Sequence, residues 1–355
     1  MLPRRNAGMR VVVTSGVTLR DVAHEAGVHV STASRALNTE TRGVVNSDTV
    51  KRVLEAADRL GYRPNPLAQG LRTNRTLTVG MVIPDIENPL FGPIIAGAEQ
   101  ALGGVGYSLL IANADREGES HTRDVVRTLV EKRVDGIILA TASRSDAVIA
   151  ELLETGVVVV LVNRATEGLA VPAILGDDVV GIGLVVDHLV ELGHEHIGHV
   201  AGPQHLSTGM GRGQAFLSRM QSLGMAVDSS AVEEAEWFQL EPGYRACRLL
   251  LERRPDLTAI VAANDLIALG CYKAVRESGR DIPGDVSIAG YNDMPLLDLM
   301  QPALTSVKVP YRQMGITAAE TLLSQLAARP GLERGISIRL TPRLIVRDST
   351  APPVR

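Results

Sequence analysis

Ser31 and Arg35 stand four residues apart in Val28-His-Val-Ser-Thr-Ala-Ser-Arg-Ala-Leu-Asn38, so on a helix they share one face. A guanidinium is a planar fork of donors, and a hydroxyl both donates and accepts. A small, polar face of this kind suits a DNA groove, where an arginine fork can hold guanine O6 and N7 together. A second set of polar residues closes short apolar runs further along the chain. Asp85 follows Val82-Ile-Pro84, Asn163-Arg164 ends 157–162, and Arg212 opens a helix after Gly202-Pro203. Asn264-Asp265 ends 259–263, and Asn292-Asp293 ends 287–291. Each alone reads as a cap or loop residue. At the ends of successive strands they offer donors and acceptors to one small-molecule cleft.

Catalytic chemistry finds no comparable support. The chain has no Gly-x-Ser-x-Gly elbow and no phosphate-binding GxxxxGK[ST] loop, and Gly181-x-Gly183 lacks the rest of a dinucleotide fingerprint. His121, His188, His194, His196, His199 and His205 are scattered, and His194-Glu-His196 is too close for the helical HExxH geometry. Two cysteines, Cys247 and Cys271, exclude a disulfide framework and read as small buried thiols. A binding protein without cofactor or metal is the expectation.

The elements that position Ser31 and Arg35 are legible. Leu19, Val22, Ala23 and Ala26 repeat at helical spacing, Thr18 and Asp21 are placed for a capping box, and Gly27 supplies the stop and turn. Ala33 and Leu37 face the first helix from the second. Asn46, Ser47 or Asp48 caps a third helix with Val50, Val53, Leu54, Ala57 and Leu60 inside, ended by Gly61. Two short helices joined by a tight turn read as a helix-turn-helix, whose second helix enters the major groove; any small helical hairpin shares the pattern. Asn65-Pro66 then opens a short segment that reaches only to about Leu71 and is weakened by Gly70. Such a helix forms only against a partner, and a plain linker is the alternative.

The runs Thr18-Leu-Arg-Asp-Val-Ala, Ser34-Arg-Ala-Leu-Asn38, Leu60-Gly-Tyr-Arg-Pro-Asn65 and Leu67-Ala-Gln-Gly-Leu71 follow in order and spacing. In them the chain resembles the LacI/GalR family of transcriptional regulators. The resemblance implies that Ser31 and Arg35 reach base edges with Val30 and Thr32 beside them, and that Thr18, Ser34 and Asn38 position the phosphate backbone. It implies a hinge helix over 65–76 in which Asn65, Ala68, Leu71 and Arg72 meet DNA. Leu71 matches a leucine that wedges into the minor groove, and Ala68 the residue that lets two hinges approach. His29 stands where the family usually has a serine capping the recognition helix, so Ser31 is expected to cap instead or the helix to begin differently.

The body alternates short apolar runs with amphipathic stretches, which reads as parallel sheets covered by helices on both faces. Strands are expected at 78–83, 108–113, 136–140, 157–163, 197–201, 259–263 and 286–291. The helices between them are expected at 94–102, 119–131, 146–153, 180–192, 211–223, 243–251, 265–277 and 314–326. The resemblance adds what periodicity does not show: a periplasmic-binding-protein-like core of two lobes. Lobe 1 takes about 77–177 and 307–334 and lobe 2 about 178–306 and 335–348, with crossovers near 176–179, 305–308 and 333–336 and a tail at 349–355. It also implies effector contacts from Phe91, Asn163, Arg164, Arg212, Phe238, Asn264, Asp265 and Asn292, with Trp237-Phe238 as a second apolar wall. Leu206 stands where purine-binding members carry arginine, and Asn292 where many sugar-binding members carry aspartate. The implied effector is a sugar or related polyol.

Residues 1–76 carry 12 Lys+Arg against 6 Asp+Glu, a balance of +6, while the rest carries 24 against 34, or −10. A basic head on an acidic body suits a polyanion at one end only. No run reaches the ~18 apolar residues of a membrane span, and Val11-Val-Val13 is too short for a secretory core, so a cytoplasmic protein is expected. Residues 1–16 read as a flexible extension with Met9 as an alternative start. No heptad tail follows, so the homodimer implied by the resemblance is not expected to pair into tetramers. Together these point to an N-terminal all-α helix-turn-helix domain plus hinge helix, then an α/β core of two parallel-sheet lobes. That is a regulator that binds a pseudo-palindromic double-stranded operator under control of a small molecule. The alternatives are a solute-binding or a sugar-modifying protein with the same body.

Overall fold

The computed structural model describes residues 17–38, 41–63, 75–114, 119–225, 228–328 and 335–354. The chain divides into two compact units, 1–76 and 77–355.

Among its described residues the first unit has three α-helices, α1 (Leu19–Glu25), α2 (Val30–Leu37) and α3 (Ser47–Leu60). Thr18 N donates to Asp21 Oδ2 at 2.8 Å and Asp21 N to Thr18 Oγ1 at 3.4 Å, completing the capping box. Gly27 turns the chain at φ +64° and Gly61 ends α3 at φ +63°. The core is built from small side chains: Val22, Ala23, Ala26, Ala33, Ala36, Val53, Ala56 and Ala57 are buried. Ala36 takes the place expected for Leu37, which is half-buried. Alanine at these contacts lets helices as short as seven and eight residues approach closely. The C-terminus of α2 is closed by the following loop, where Thr41 Oγ1 donates to the Arg35 carbonyl at 3.2 Å and Arg42 Nε to that of Ala36 at 3.0 Å.

The second unit holds two six-stranded sheets. The first contains β1 (Thr78–Ile83), β2 (Ser108–Asn113), β3 (Gly136–Leu139), β4 (Val158–Val162), β5 (Ala173–Gly176) and β11 (Ser337–Leu340), in the order β11-β5-β4-β3-β1-β2. The second contains β6 (Ile197–Ala201), β7 (Val232–Glu234), β8 (Ala259–Ala262), β9 (Ser287–Asn292), β10 (Thr305–Lys308) and β12 (Arg343–Ile345), in the order β12-β10-β9-β8-β6-β7. All pairings are parallel except β10 with β12. The central strands are almost wholly buried, as continuous apolar runs in parallel sheets require. The covering helices are α4 (Phe91–Gly103), α5 (Glu119–Glu131), α6 (Ala147–Glu154), α7 (Asp178–Glu191), α8 (Ser207–Ser222), α9 (Leu240–Arg253), α10 (Asp265–Glu277) and α11 (Tyr311–Ala327). Helices α4 and α11 meet backbone to backbone: a Cβ on Gly97 would lie 2.1 Å from the Arg312 carbonyl oxygen, and one on Gly315 2.0 Å from that of Ile94. Among the described residues no helix is long and apolar enough to cross a membrane.

Three expectations about the lobes need correction. Strand β10 pairs with β9 in the second sheet, and α11 packs on β3, β4 and β5, so the second crossover falls at 309–310 rather than 305–308. Strand β11 pairs with β5, so 337–340 belongs to the first sheet and the third crossover falls at 341–342 rather than 333–336. These short strands alternate or mix polar residues and lack the apolar runs that mark the central strands. The third correction is the tail. Ser349 is fully buried, its amide donates to the Ala303 carbonyl at 2.9 Å, and its carbonyl accepts from Ile288 N at 2.8 Å. His194 Nε2 lies 2.9 Å from the Ala351 carbonyl oxygen and His188 Nε2 2.9 Å from Thr350 Oγ1. Residues 349–351 therefore extend the second lobe.

Candidate functional site

In the first unit, α2 presents Ser31 and Arg35 as exposed neighbours on one face, with Val30, Thr32, Ser34 and Asn38 half-buried around them. His29 itself caps α2: its ring Nδ1 accepts from Ser31 N at 3.3 Å and lies 2.8 Å from Ser31 Oγ. The expectation that Ser31 caps instead is thus corrected, because an imidazole with an unprotonated Nδ1 supplies the acceptor that a serine hydroxyl would. Thr18 Oγ1 donates to Asp21 Oδ2 at 2.7 Å, so its first task is to start α1. Asn65, Ala68, Leu71 and Arg72 lie outside the described residues.

In the second unit the ends of β1, β3, β4, β6, β8 and β9 face a cleft. Its larger space is about 300 Å³, lined among others by Asp85, Phe91, Thr141, Arg164, Trp237 and Phe238. Beside it a smaller space of about 30 Å³ is lined by Asn163, Arg164, Arg212, Asn264 and Asn292, together with Phe91 and Phe238. Two asparagines reach it through unusual backbone: Asn163 has φ +66° and Asn292 φ +120°. The first lies in the left-handed region that asparagine tolerates better than most side chains. Asn264 combines roles, capping α10 through Ile267 N at 2.8 Å while lining the cleft. The Asn292 Oδ1 accepts from Tyr311 Oη at 2.6 Å.

Arg212 sits in the second turn of α8, not at the helix start, which is capped at Leu206. Its Nε donates to Asp178 Oδ1 at 2.9 Å and its Nη1 to the Ala263 carbonyl at 2.8 Å, while its guanidinium lies 3.9 Å from the Tyr291 ring centroid. Burial is the largest single influence and opposes this charge, but Asp178 together with Tyr291 and Tyr311 outweighs it and holds the group above its ordinary value. Gly181 is explained here: a Cβ would lie 2.4 Å from the Tyr291 hydroxyl oxygen. Arg164 differs. Its Nε is cut off from solvent with no hydrogen-bond partner among the described residues, and burial, followed by the Arg212 charge, lowers its pKa to about 10. Asp178, Tyr291 and Thr141 were not singled out from sequence; none ends an apolar run as a paired polar group.

Asp265 is not brought to the cleft. Its carboxyl is fully buried, with Ser306 Oγ donating to Oδ1 at 2.5 Å and Met294 N to Oδ2 at 2.9 Å. Burial raises its pKa to about 7, against the lowering effect of those two bonds. Between the ordinary value of 3.8 and about 7 the folded chain holds a proton that the unfolded chain has lost, so this contribution to stability is present at low pH and fades as pH rises to 7. His199 acts the other way: burial pushes its pKa down to about 4, so it weakens the fold as pH falls below 6.5. Comparing Asp265→Asn with the parent removes the His199 contribution. The parent's urea-unfolding free energy should fall by roughly 3 kcal/mol relative to the variant between pH 5 and pH 7.5. Parallel profiles would show that Asp265 is ionised in the fold.

The rim of the cleft joins the two lobes directly. Arg144 N donates to the His205 carbonyl at 3.1 Å, Arg144 Nη1 to that of Gln204 at 3.2 Å, and Ala165 N to Ser207 Oγ at 2.9 Å. A ligand held between the sheets therefore meets side chains of both lobes and can favour one inter-lobe arrangement over another.

Known proteins match both units. Residues 18–65 match the model described as bacterial regulatory proteins, lacI family, and residues 186–350 that of a periplasmic binding protein-like domain. The transcriptional regulator MalR of Streptomyces coelicolor is 35% identical over 341 residues, covering 94% of this chain and 96% of that protein. A lac repressor dimer bound to operator and the anti-inducer ONPF superposes with a TM-score of 0.83 at 28% identity, covering 95% of this chain and 99% of that one. A complex of the transcriptional regulator CelR with cellobiose gives a TM-score of 0.72 at 31% identity, covering 94% and 99%.

Proposed function

The chain belongs to the lacI family of bacterial regulatory proteins, and from that premise we propose that it is a repressor whose operator affinity is set by a sugar in the cleft of its second unit. It regulates transcription through DNA bound by the helix-turn-helix. The finer reading assigns base recognition to Ser31 and Arg35, and effector recognition to Asn163, Arg164, Arg212, Asn264 and Asn292 between Phe91 and Phe238. The protein acts as a homodimer on a pseudo-palindromic operator in the cytoplasm, and the cleft binds without turnover.

Arg164 carries the effector half of this reading. A buried guanidinium nitrogen without a partner costs about 1–3 kcal/mol or more until something accepts its proton. Vicinal hydroxyls of a sugar do so, while the ring's C–H faces meet Phe91 and Phe238. The cellobiose-bound relative supports that class. Binding one inter-lobe arrangement more tightly shifts the population, and with it the affinity for operator.

The test uses the full chain. A duplex is selected from random sequence, and fluorescence anisotropy follows its binding across a panel of sugars and polyols. A two-fold symmetric preferred site is expected, with affinity falling steeply as salt rises. One sugar should then change operator affinity by roughly 5- to 150-fold. Equal affinity for selected and random duplexes would sink the operator reading; an operator affinity unmoved by every sugar would sink the effector reading.

A further inference from the structure

The two compartments of the cleft differ in size and in chemistry. The inner one, about 30 Å³ and lined by the asparagines and Arg212, is roughly one water's share of liquid volume, so it admits a hydroxyl or hydroxymethyl group and not a ring. The outer one, about 300 Å³, corresponds to roughly ten waters, more than a single pyranose ring displaces. Its far wall is aromatic. Trp237 is 40% exposed and lies edge-on to His205, with centroids 5.8 Å apart and planes at 80°. Neither residue lines the inner compartment. Opposite in character is Thr141, which lines the outer compartment while its enclosed hydroxyl has no hydrogen-bond partner among the described residues. An indole open to a cleft is a platform for the C–H face of a ring, and a lone enclosed hydroxyl asks for a polar group beside it.

We infer that the effector is a disaccharide: two linked rings, of which the second lies in the outer compartment on Trp237 with Thr141 bonded to one of its hydroxyls. The inference rests on the sugar reading above and narrows it. Arg164, Phe91 and Phe238 line both compartments, whereas Trp237 and Thr141 line only the outer one, so a first ring seated at the mouth of the inner compartment on Arg164 leaves Trp237 and Thr141 to a second. Trp237 thereby becomes a specificity-determining residue, setting the number of rings without touching the polar groups of the inner compartment.

Trp237 is the one tryptophan in the chain, so its emission reports on the outer compartment alone. The full-length protein is titrated with maltose, trehalose, cellobiose and lactose, and with glucose, galactose and ribose, and followed by calorimetry and by tryptophan emission. At least one disaccharide is expected to bind tenfold or more tighter than its component monosaccharides and to shift or quench the emission. Trp237→Ala should cut the disaccharide-to-monosaccharide affinity ratio at least tenfold, and Trp237→Phe should restore part of it. A monosaccharide that binds as tightly as any disaccharide and leaves the emission unchanged overturns the two-ring effector while the sugar reading stands. Silence from all seven sugars overturns both.

Discussion

Replacing Arg212 by alanine is expected to cost the effector domain about 3–5 kcal/mol of stability, because it strands a buried charge. The side chains of Arg212 and Asp178 are only 5% and 15% exposed. With the guanidinium gone, the Asp178 carboxylate and the Ala263 carbonyl lose their donors together, and the face of Tyr291 loses the cation 3.9 Å above it. Lysine in its place keeps the charge but is one point donor where a fork made two bonds. A double change, Arg212→Met with Asp178→Asn, separates folding from binding. Removing both charges should recover most of the stability, since a buried ion pair replaced as a unit is often near neutral. The sugar response of operator binding should stay lost. Urea unfolding followed by far-ultraviolet circular dichroism reads the first effect and anisotropy the second. An Arg212→Ala protein as stable as the parent would mean that Asp178 finds water or another cation; a double variant with an intact response would remove Arg212 from effector recognition.

The same cluster explains why the cleft was only partly legible in sequence. Asn163, Arg164, Asn264 and Asn292 follow apolar runs, and a polar residue at the carboxyl end of a buried parallel strand has few destinations other than a cap or the cleft. Asn264 serves as both. The same rule misled at Asp265, one residue on. The first turn of α10 rotates its carboxyl away from Asn264, under Ser306 and Met294, and no linear pattern reports that rotation. Asp178 was missed for a related reason. It reads as a first-turn acid on α7, where the helix dipole favours it, and its pairing with an arginine 34 residues later is a property of the fold. Helices α1, α2 and α3 were easier, because their capping box, turn glycines and apolar spacing are all local. Strands β5, β7, β10, β11 and β12 were not anticipated: each has three or four residues, too few for a period to declare itself. Their pairing nonetheless decides which lobe each crossover serves.

Arg35→Ala should abolish base discrimination while leaving the fold of the first unit intact. Arg35 is exposed on α2, and its contribution to the unit runs through its backbone carbonyl, which accepts from Thr41 Oγ1 at 3.2 Å and is kept by any side chain. Truncation therefore opens no cavity, and the melting temperature should not move. An arginine fork on guanine is worth roughly 1–3 kcal/mol. A dimer loses it in both half-sites, so affinity for the selected duplex should fall roughly thirty-fold or more. Affinity for random duplex should hardly change, because non-specific binding is the sum of phosphate contacts. Arg35→Lys keeps the charge and not the fork, so it should behave like alanine on the selected site and like the parent on random DNA. Loss at a phosphate-positioning residue has a different signature, a uniform weakening on every sequence. Competition binding with single-base variants of the selected duplex distinguishes the two. If Arg35→Ala weakened selected and random duplexes alike, its guanidinium would be a backbone clamp, and the specificity of α2 would fall to Ser31 and its neighbours.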